Sequence, residues 1–321
     1  MAKKEKVFKP QAKGPVFKIF TGVFLALLIF YVFTVLLLIA FGLLTSLKSN
    51  VDFRVYGNIL GLPNLELAGG KDYLLLKNYG DIISGFERPY QTPAYFKGTR
   101  LIGSKTMSIG FTGMLWNSLI YCIAGSFFMT LPKLIVGYAC SMYRNPFSKF
   151  IYMLVVITMI IPIVGTTPAM LTLMRNTGLY DTFWGNFIQK SHISGMYFLI
   201  FYEYYRTIPD TYREAAEIDG ASQFRVMVRI YFPLCGKIFF TVFLIHAIEL
   251  WNDYNTVLLY LPSHPTLTYG VWLATFGNDA DRYPVTRRIA ATMLLAVPTM
   301  TVFFIFKDRI MGNLTMGGLK G

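Results

Sequence analysis

Between Lys18 and Lys48 the chain carries twenty-nine consecutive residues with no Asp, Glu, Lys or Arg. At 1.5 Å per helical residue such a run more than crosses the ~30 Å of hydrocarbon in a bilayer, and a run of this kind has no stable place in water. It is too long for the apolar core of a signal peptide and lacks a small-residue cleavage site, so it reads as a retained anchor behind the basic lead of Lys3, Lys4, Lys6, Lys9 and Lys13. Further apolar stretches make the whole chain an integral membrane protein, in keeping with 54% hydrophobic and 15% charged residues over 321 positions and a mean hydropathy of +0.48. The net charge of +13 resides mostly in the interrupting segments and termini, where topology and anionic lipid account for it, so nucleic-acid binding is not expected. Cys122, Cys140 and Cys235 stand in or beside apolar runs with no His at zinc-ligand spacing, which fits buried small hydrophobes and implies neither a metal nor disulfides.

The expected fold is an all-α integral membrane protein of six transmembrane helices. The spans fall at about 18–47, 111–142, 150–174, 193–205, 234–260 and 289–306. Pro132 predicts a kink in the second. Pro162 and Pro168 in the third favour a bundle lining a path over an isolated anchor. The fourth is the shortest, because Lys190 and His192 bound its clean apolar part. The chain then divides into a basic N-terminus (1–17), the first span (18–47), an outer loop or small cap without a long helical period (48–110), a core holding spans two to six (111–306) and a tail (307–321). With the N-terminus inside, segments 1–18, 143–149, 206–237 and 307–321 hold about sixteen Lys and Arg against about five in the two short outer loops. The protein is therefore expected to be multi-pass with both termini cytoplasmic.

The most distinctive polar interruption lies at 206–233. Ile208 Pro209 Asp210 ends the fourth span, and Thr211, three residues before Glu214, has the spacing of a capping box. Gly220 after Asp219 supplies a left-handed stop, and Ser222 can cap a second short helix bearing Phe224, Met227 and Val228. The product is a helix, turn, helix projection. Its small Ala residues permit close approach, Glu214 offers a fixed charge, and Phe224 with Met227 offers an apolar plug for a cleft. A Glu-Ala-Ala triplet alone would be ordinary helix, but Glu, Ala, Ala, Gly and Pro at five fixed positions match on the order of once in a million starts.

Glu214 Ala215 Ala216, then Asp219 Gly220 Ala221, Ile230 and Pro233 resemble the EAA loop of binding-protein-dependent ABC importer permeases, with Phe232 where Leu is usual. Other stretches resemble the carbohydrate branch, in particular the second membrane subunit of maltose-type importers. They are Asn117 Ser118 Leu119, Gly178 Leu179 Tyr180 Asp181 Thr182, Trp251 Asn252 Asp253, and the tail Leu314 to Gly321, with Asn313 in place of the branch's first Gly. The resemblance implies the type I ABC importer permease fold in a bacterial plasma membrane, with Glu214, Ala215, Ala216, Asp219, Gly220, Ala221, Phe224 and Pro233 coupling to ATPase subunits. The tail, where Gly317 and Gly318 let another backbone run close and Lys320 follows, is either a second contact with the ATPases or a frayed terminus. The implied partners are two cytoplasmic ATP-binding subunits that hold ATP and Mg, a second, non-identical permease, and an extracytoplasmic solute-binding protein.

The chain carries no phosphate loop of its own: around Gly69 Gly70 Lys71, Leu65 stands where the first Gly belongs and Asp72 where Ser or Thr is needed. It is therefore expected to be no enzyme and to hold no cofactor. Glu203, His246, Glu249 and Asn252 are the polar candidates for a solute path, since ionisable groups in a span usually face a bundle interior or water. His246 and Glu249 share a helix face and could equally satisfy each other, and Trp251 and Tyr254 suit either sugar stacking or an interfacial belt. His192 and His264 look like ordinary outer-loop residues. A non-sugar ABC permease for amino acids, peptides or phosphonates is the alternative within the class. Outside it, an ion-coupled secondary transporter would use Glu203, His246 and Glu249 as a relay.

Overall fold

The computed structural model describes residues 14–64, 76–92, 95–97, 100–143, 145–161, 165–277 and 283–316. Helix α1 (Pro15–Ser46) is the expected first span, with Pro at its first turn where a missing N–H costs nothing. A π-helical turn (Val51–Val55) and α2 (Lys77–Gly85) follow. The segment read as loop or small cap then forms four strands, β1 (Glu87–Thr92), β2 (Tyr95–Lys97), β3 (Arg100–Ile102) and β4 (Lys105–Gly110). The all-α expectation therefore holds for the spans and not for this segment. β1 pairs with β4 and β2 with β3, both antiparallel and in one shared register from Glu87↔Gly110 to Lys97↔Arg100.

Helix α3 (Phe111–Met142) is the expected second span and continues unbroken through Pro132. It is the hub of the molecule, packing chiefly against α7 and α10. The third expected span is two pieces, α4 (Pro146–Ile160) and α5 (Thr166–Asn176), parted where Gly165 takes the left-handed φ of +78°. At 15 and 11 residues neither reaches across ~30 Å of hydrocarbon alone. The fourth is also two pieces, α6 (Phe183–Lys190) and α7 (Met196–Thr207). Gly125 and Phe128 of α3 lie against Phe187 of α6, while Gly137 lies against Phe198 and Phe201 of α7. Hence Ser191–Gly195 is a break that lies alongside the middle of α3. Gly195, at φ +121°, occupies backbone space that only glycine enters readily.

The remaining elements are α8 (Thr211–Ile218), α9 (Gln223–Val226), α10 (Phe232–Trp251), α11 (Asn255–Tyr260), α12 (Leu267–Phe276) and α13 (Val285–Met316). The fifth expected span is shorter than read, because the helix stops at Trp251 and restarts at Asn255. A π-helical turn (Met227–Tyr231) joins α9 to α10, so one continuous helical stretch of 29 residues runs from Gln223 to Trp251. Among the described residues four helices are long and apolar enough to cross a membrane, at Phe17–Ser46, Phe111–Met142, Gln223–Trp251 and Val285–Arg309.

Two apolar cores hold the bundle at opposite ends. One gathers Phe86, Met114, Tyr121, Trp251, Leu267 and Ala290 beneath the ribbon, and the other gathers Tyr138, Tyr205, Ala216, Val226 and Tyr231 above α8. The segments 143–149 and 206–231 thus share one end, and the ribbon shares the other with the α11–α12 connection, where Ser263 Oγ donates to the Gln91 carbonyl.

Residues that resembled a family signature mostly hold this frame. Asn117 Nδ2 donates to the Pro265 carbonyl at 3.0 Å, and Ser118 Oγ accepts the Leu267 N–H at 2.9 Å. Asp181, buried at φ +61°, accepts the Ser263 N–H at 2.9 Å and faces His264 Nδ1 at 3.5 Å, so His264 is part of an anchored joint. Thr182 Oγ1 accepts the Gly185 N–H and starts α6. A Cβ added at Gly185 would fall on the Leu179 carbonyl, a rigid backbone atom. We expect Gly185→Ala to cost about 1–3 kcal/mol, read as a thermal midpoint several degrees lower for the detergent-purified protein.

Candidate functional site

Helix α7 ends at Thr207, and Ile208 turns extended before Pro209, as the ring of a following proline requires. The Asp210 carbonyl accepts the Arg213 and Glu214 N–H groups at 2.9 and 3.0 Å, so α8 starts from Asp210 and Thr211 lies inside it. No side chain caps this helix, and the expected Thr211 capping box does not form. The stop is as expected: Gly220 at φ +75° lets its N–H reach the Glu217 carbonyl and the Ala221 N–H reach the Ala216 carbonyl, which is a Schellman close. Ser222 Oγ then accepts the Arg225 N–H and starts α9.

This projection has two faces. Ala216, Val226 and Tyr231 are buried against Tyr138 and Tyr205, which binds the projection to α3 and α7. Tyr138 meets the Tyr205 and Tyr231 rings at 5.5 and 5.2 Å. On the other face Glu214, Ala215 and Asp219 are exposed, with Ile218 at 86% and Phe224 at 71%. Met227, expected beside Phe224 in the plug, instead packs on the inner core, and Ile218 takes its place outside. Gln223 Nε2 donates to Glu217 Oε1 at 2.7 Å, and Arg213 meets the same carboxylate at 3.5 Å, so the two short helices are tied together. Pro233 stands exposed at the start of α10.

The expected solute-path residues do not converge. Glu203 is exposed and pairs with Arg206 at 3.3 Å near the α8 end. Asn252 is exposed at the opposite end, its Nδ2 donating to the Ile248 carbonyl. His246 does not bond Glu249: its Nδ1 meets Thr130 Oγ1 at 2.9 Å, and its ring stacks edge-on against Tyr197. Glu249, one turn further along α10, is exposed. Trp251 is buried and its Nε1 donates to the Leu295 carbonyl, while Tyr254 stacks on Trp272, so both rings are engaged within the protein.

Sequence reading missed a buried charge in this region. Lys133 is the only charged residue in the 32 of α3, and its side chain is buried. Its Nζ donates to the Met129 carbonyl at 2.7 Å. Gly195, at the break in the α6–α7 span, faces it: a Cβ there would sit 3.8 Å from Lys133 Cε. His192 lies in the same break, with Nδ1 on the Ser194 carbonyl. Nearby, Lys190 Nζ meets Asp253 Oδ2 at 3.1 Å, and the Tyr121 hydroxyl donates to that same oxygen at 2.8 Å. A single charge in an otherwise uncharged span is the signal that would have found Lys133.

Among the described residues no group of His, Cys, Asp and Glu is placed to hold a metal ion, and all three cysteines are buried and free. The tail residues Gly317, Gly318 and Lys320 lie outside the described residues.

Residues 133–315 match the family described as binding-protein-dependent transport system inner membrane component. The chain is similar to the arabinooligosaccharides transport system permease protein AraQ of Halalkalibacterium halodurans, 26% identical over 66% of this chain and 74% of the relative. It is also similar to the maltodextrin transport system permease protein MdxG of Bacillus subtilis, at 27% over 64% and 74%, and to the lactose transport system permease protein LacG of Rhizobium radiobacter, at 25% over 64% and 75%. Its fold resembles a chain in the crystal structure of a bacterial ABC transporter involved in the import of the acidic polysaccharide alginate. That likeness has a TM-score of 0.65 at 19% identity and covers 92% of this chain and 98% of the other.

Proposed function

This chain belongs to the family of binding-protein-dependent transport inner membrane components, and from that premise we propose that it is one permease subunit of an ATP-driven carbohydrate importer. The observation that carries the reading is the two-faced projection: Ala216 locks α8 to the spans while Ile218 and Phe224 stand bare at the same end. Such a surface passes force from a soluble partner into the bundle. Two cytoplasmic ATPase subunits, which hold ATP and Mg, close on this face and rock α7 and α10 through the Tyr138, Tyr205 and Tyr231 contacts. A sugar or oligosaccharide is supported as the solute by the several relatives named for oligosaccharide, maltodextrin and lactose transport.

In this reading six spans cross a bacterial plasma membrane, with both termini in the cytoplasm. Four are continuous, and α4 with α5 and α6 with α7 make two broken ones. Irregular backbone at membrane depth is tolerated where protein or water covers it, and breaks of this kind border solute sites in transporters. One six-span subunit encloses only half a path, so a second, non-identical permease completes it. An extracytoplasmic binding protein delivers the solute.

The test is to purify the complex through a tag on this subunit and to measure ATP-driven sugar uptake in vesicles. Wild type is expected to retain an ATPase, and Glu214→Lys is expected to lower its recovery by roughly tenfold, as loss of a contact worth about 1.4 kcal/mol would. A tagged wild type that brings down no ATPase, or uptake that persists without ATP and follows an ion gradient instead, overturns the reading.

A further inference from the structure

The break at Ser191–Gly195 sets the start of α7, a helix of 12 residues, alongside α3. No side chain caps that start. The first backbone bond of the helix runs from the Phe198 N–H to the Gly195 carbonyl at 3.1 Å, and the Met196 and Tyr197 amides ahead of it have no acceptor. Free amides at a helix start carry the positive end of its dipole and favour an anion. The break is open on one side, where His192 and Met196 are exposed.

A second source of positive charge stands at the same place. Lys133 is 2% exposed, and its Cε lies 3.8 Å from the point where a Cβ on Gly195 would sit. Glycine there, at φ +121°, keeps side-chain atoms out of the gap between the lysine and the helix start. An ammonium has three N–H donors, of which one reaches the Met129 carbonyl. Among the described residues no carboxylate pairs with it, so its remaining donors are buried without a partner. The neighbouring ionisable groups are engaged or turned away: Lys190 and Asp253 hold each other at 3.1 Å, His246 Nδ1 meets Thr130, and Glu249 is exposed on α10. A buried cation with open donors in a span is costly, and it is retained where an anion visits it.

We propose that Lys133 Nζ and the Met196 and Tyr197 amides form an anion-binding centre that takes the carboxylate of an acidic saccharide, such as a uronate, on its way through the spans. The proposal rests on the importer reading above and names the class of sugar that this subunit passes. A carboxylate has two oxygens, one for the ammonium and one for the amides, and such charge-assisted hydrogen bonds are short and strong. The Ser194 hydroxyl and His192, on the open side of the break, suit the sugar's own hydroxyls. A neutral sugar leaves the buried donors unpaired, so the same centre discriminates against it.

The experiment purifies the whole complex in detergent, without binding protein, and measures by equilibrium dialysis its retention of digalacturonate and of the neutral dimethyl ester. Wild type is expected to hold the acid about tenfold more tightly than the ester. Lys133→Met should erase that preference while every subunit is recovered. Met196→Pro removes one amide donor at a position where proline suits the first turn of a helix, and should lower the preference several-fold. Glu249→Gln should keep the preference or raise it, since it removes a nearby negative charge. Equal retention of acid and ester by wild type overturns the proposal, as does an unchanged preference in Lys133→Met. Loss of the second permease from the Lys133→Met complex overturns it in favour of an ion pair between subunits. A Glu249→Gln variant that loses the preference as fully as Lys133→Met overturns it by making Glu249 the partner of the lysine. Wild type that imports no sugar into vesicles with ATP refutes the importer reading itself, whichever way the dialysis falls.

Discussion

Replacing Ile218 and Phe224 together by Asp is expected to reduce ATP-driven uptake to background, at least a hundredfold, in a permease that still inserts and purifies. These side chains are 86% and 71% exposed and contribute nothing to the inner core, so the substitutions leave the fold alone. Apolar anchors at the centre of an interface typically cost 2 kcal/mol or more each when lost, and a hundredfold is about 2.7 kcal/mol. A buried unpaired carboxylate in the partner's cleft adds to the loss. The measurement is recovery of the ATPase with the tagged permease, alongside uptake. Ala216→Leu is the contrasting variant: it lies on the buried face, so it should lower thermal stability and recovery of the permease itself. ATPase recovered at the wild-type ratio by the double variant would remove the docking role from this surface.

The second large effect is expected at Lys133. A lysine at the centre of a spanning helix costs roughly 2.5–3.5 kcal/mol to insert on translocon scales, and this one is held by a single carbonyl of its own helix. Methionine has the same reach without the charge. Lys133→Met should therefore leave the thermal midpoint equal or higher, leave the ATPase bound, and lower uptake at least tenfold. The reason is position: Lys133 is buried and faces the break at Gly195, so it borders the irregular backbone between α6 and α7. Full uptake by the methionine variant would make Lys133 an incidental charge and return the solute path to other residues.

What the sequence disclosed followed from the range of the interactions. The stop at Gly220 and the cap at Ser222 are settled within six residues, so local chemistry suffices to read them. The Thr211 cap fails for an equally local reason, since Asp210 already has helical backbone and α8 begins a residue sooner than the spacing implied. Spans one and two are uniform apolar runs and were legible as such. The fourth span was not, because Lys190 and His192 look like a boundary in a linear window. Lys190 lies inside the span because Asp253 and Tyr121 meet it there, and both are far away in sequence. Lys133 disappeared into the average of an apolar helix. The ribbon was hidden by its composition, for Gly, Pro and Ser blur a strand's alternation and the pairing partners lie up to 23 positions apart.

The pairing of Lys190 with Asp253 also bears on the order in which the protein is made. The acid lies 63 residues after the base, so at a synthesis rate of about 5–20 residues per second the lysine emerges roughly 3–13 s before its partner. During that interval the α6–α7 stretch, two short helices on either side of a break next to Lys190, is expected to settle poorly in lipid by itself. On the six-span reading, insertion of this half of the bundle is expected to be one delayed, concerted event, so chains truncated between Lys190 and Asp253 should leave the α6–α7 stretch accessible to protease at the membrane surface.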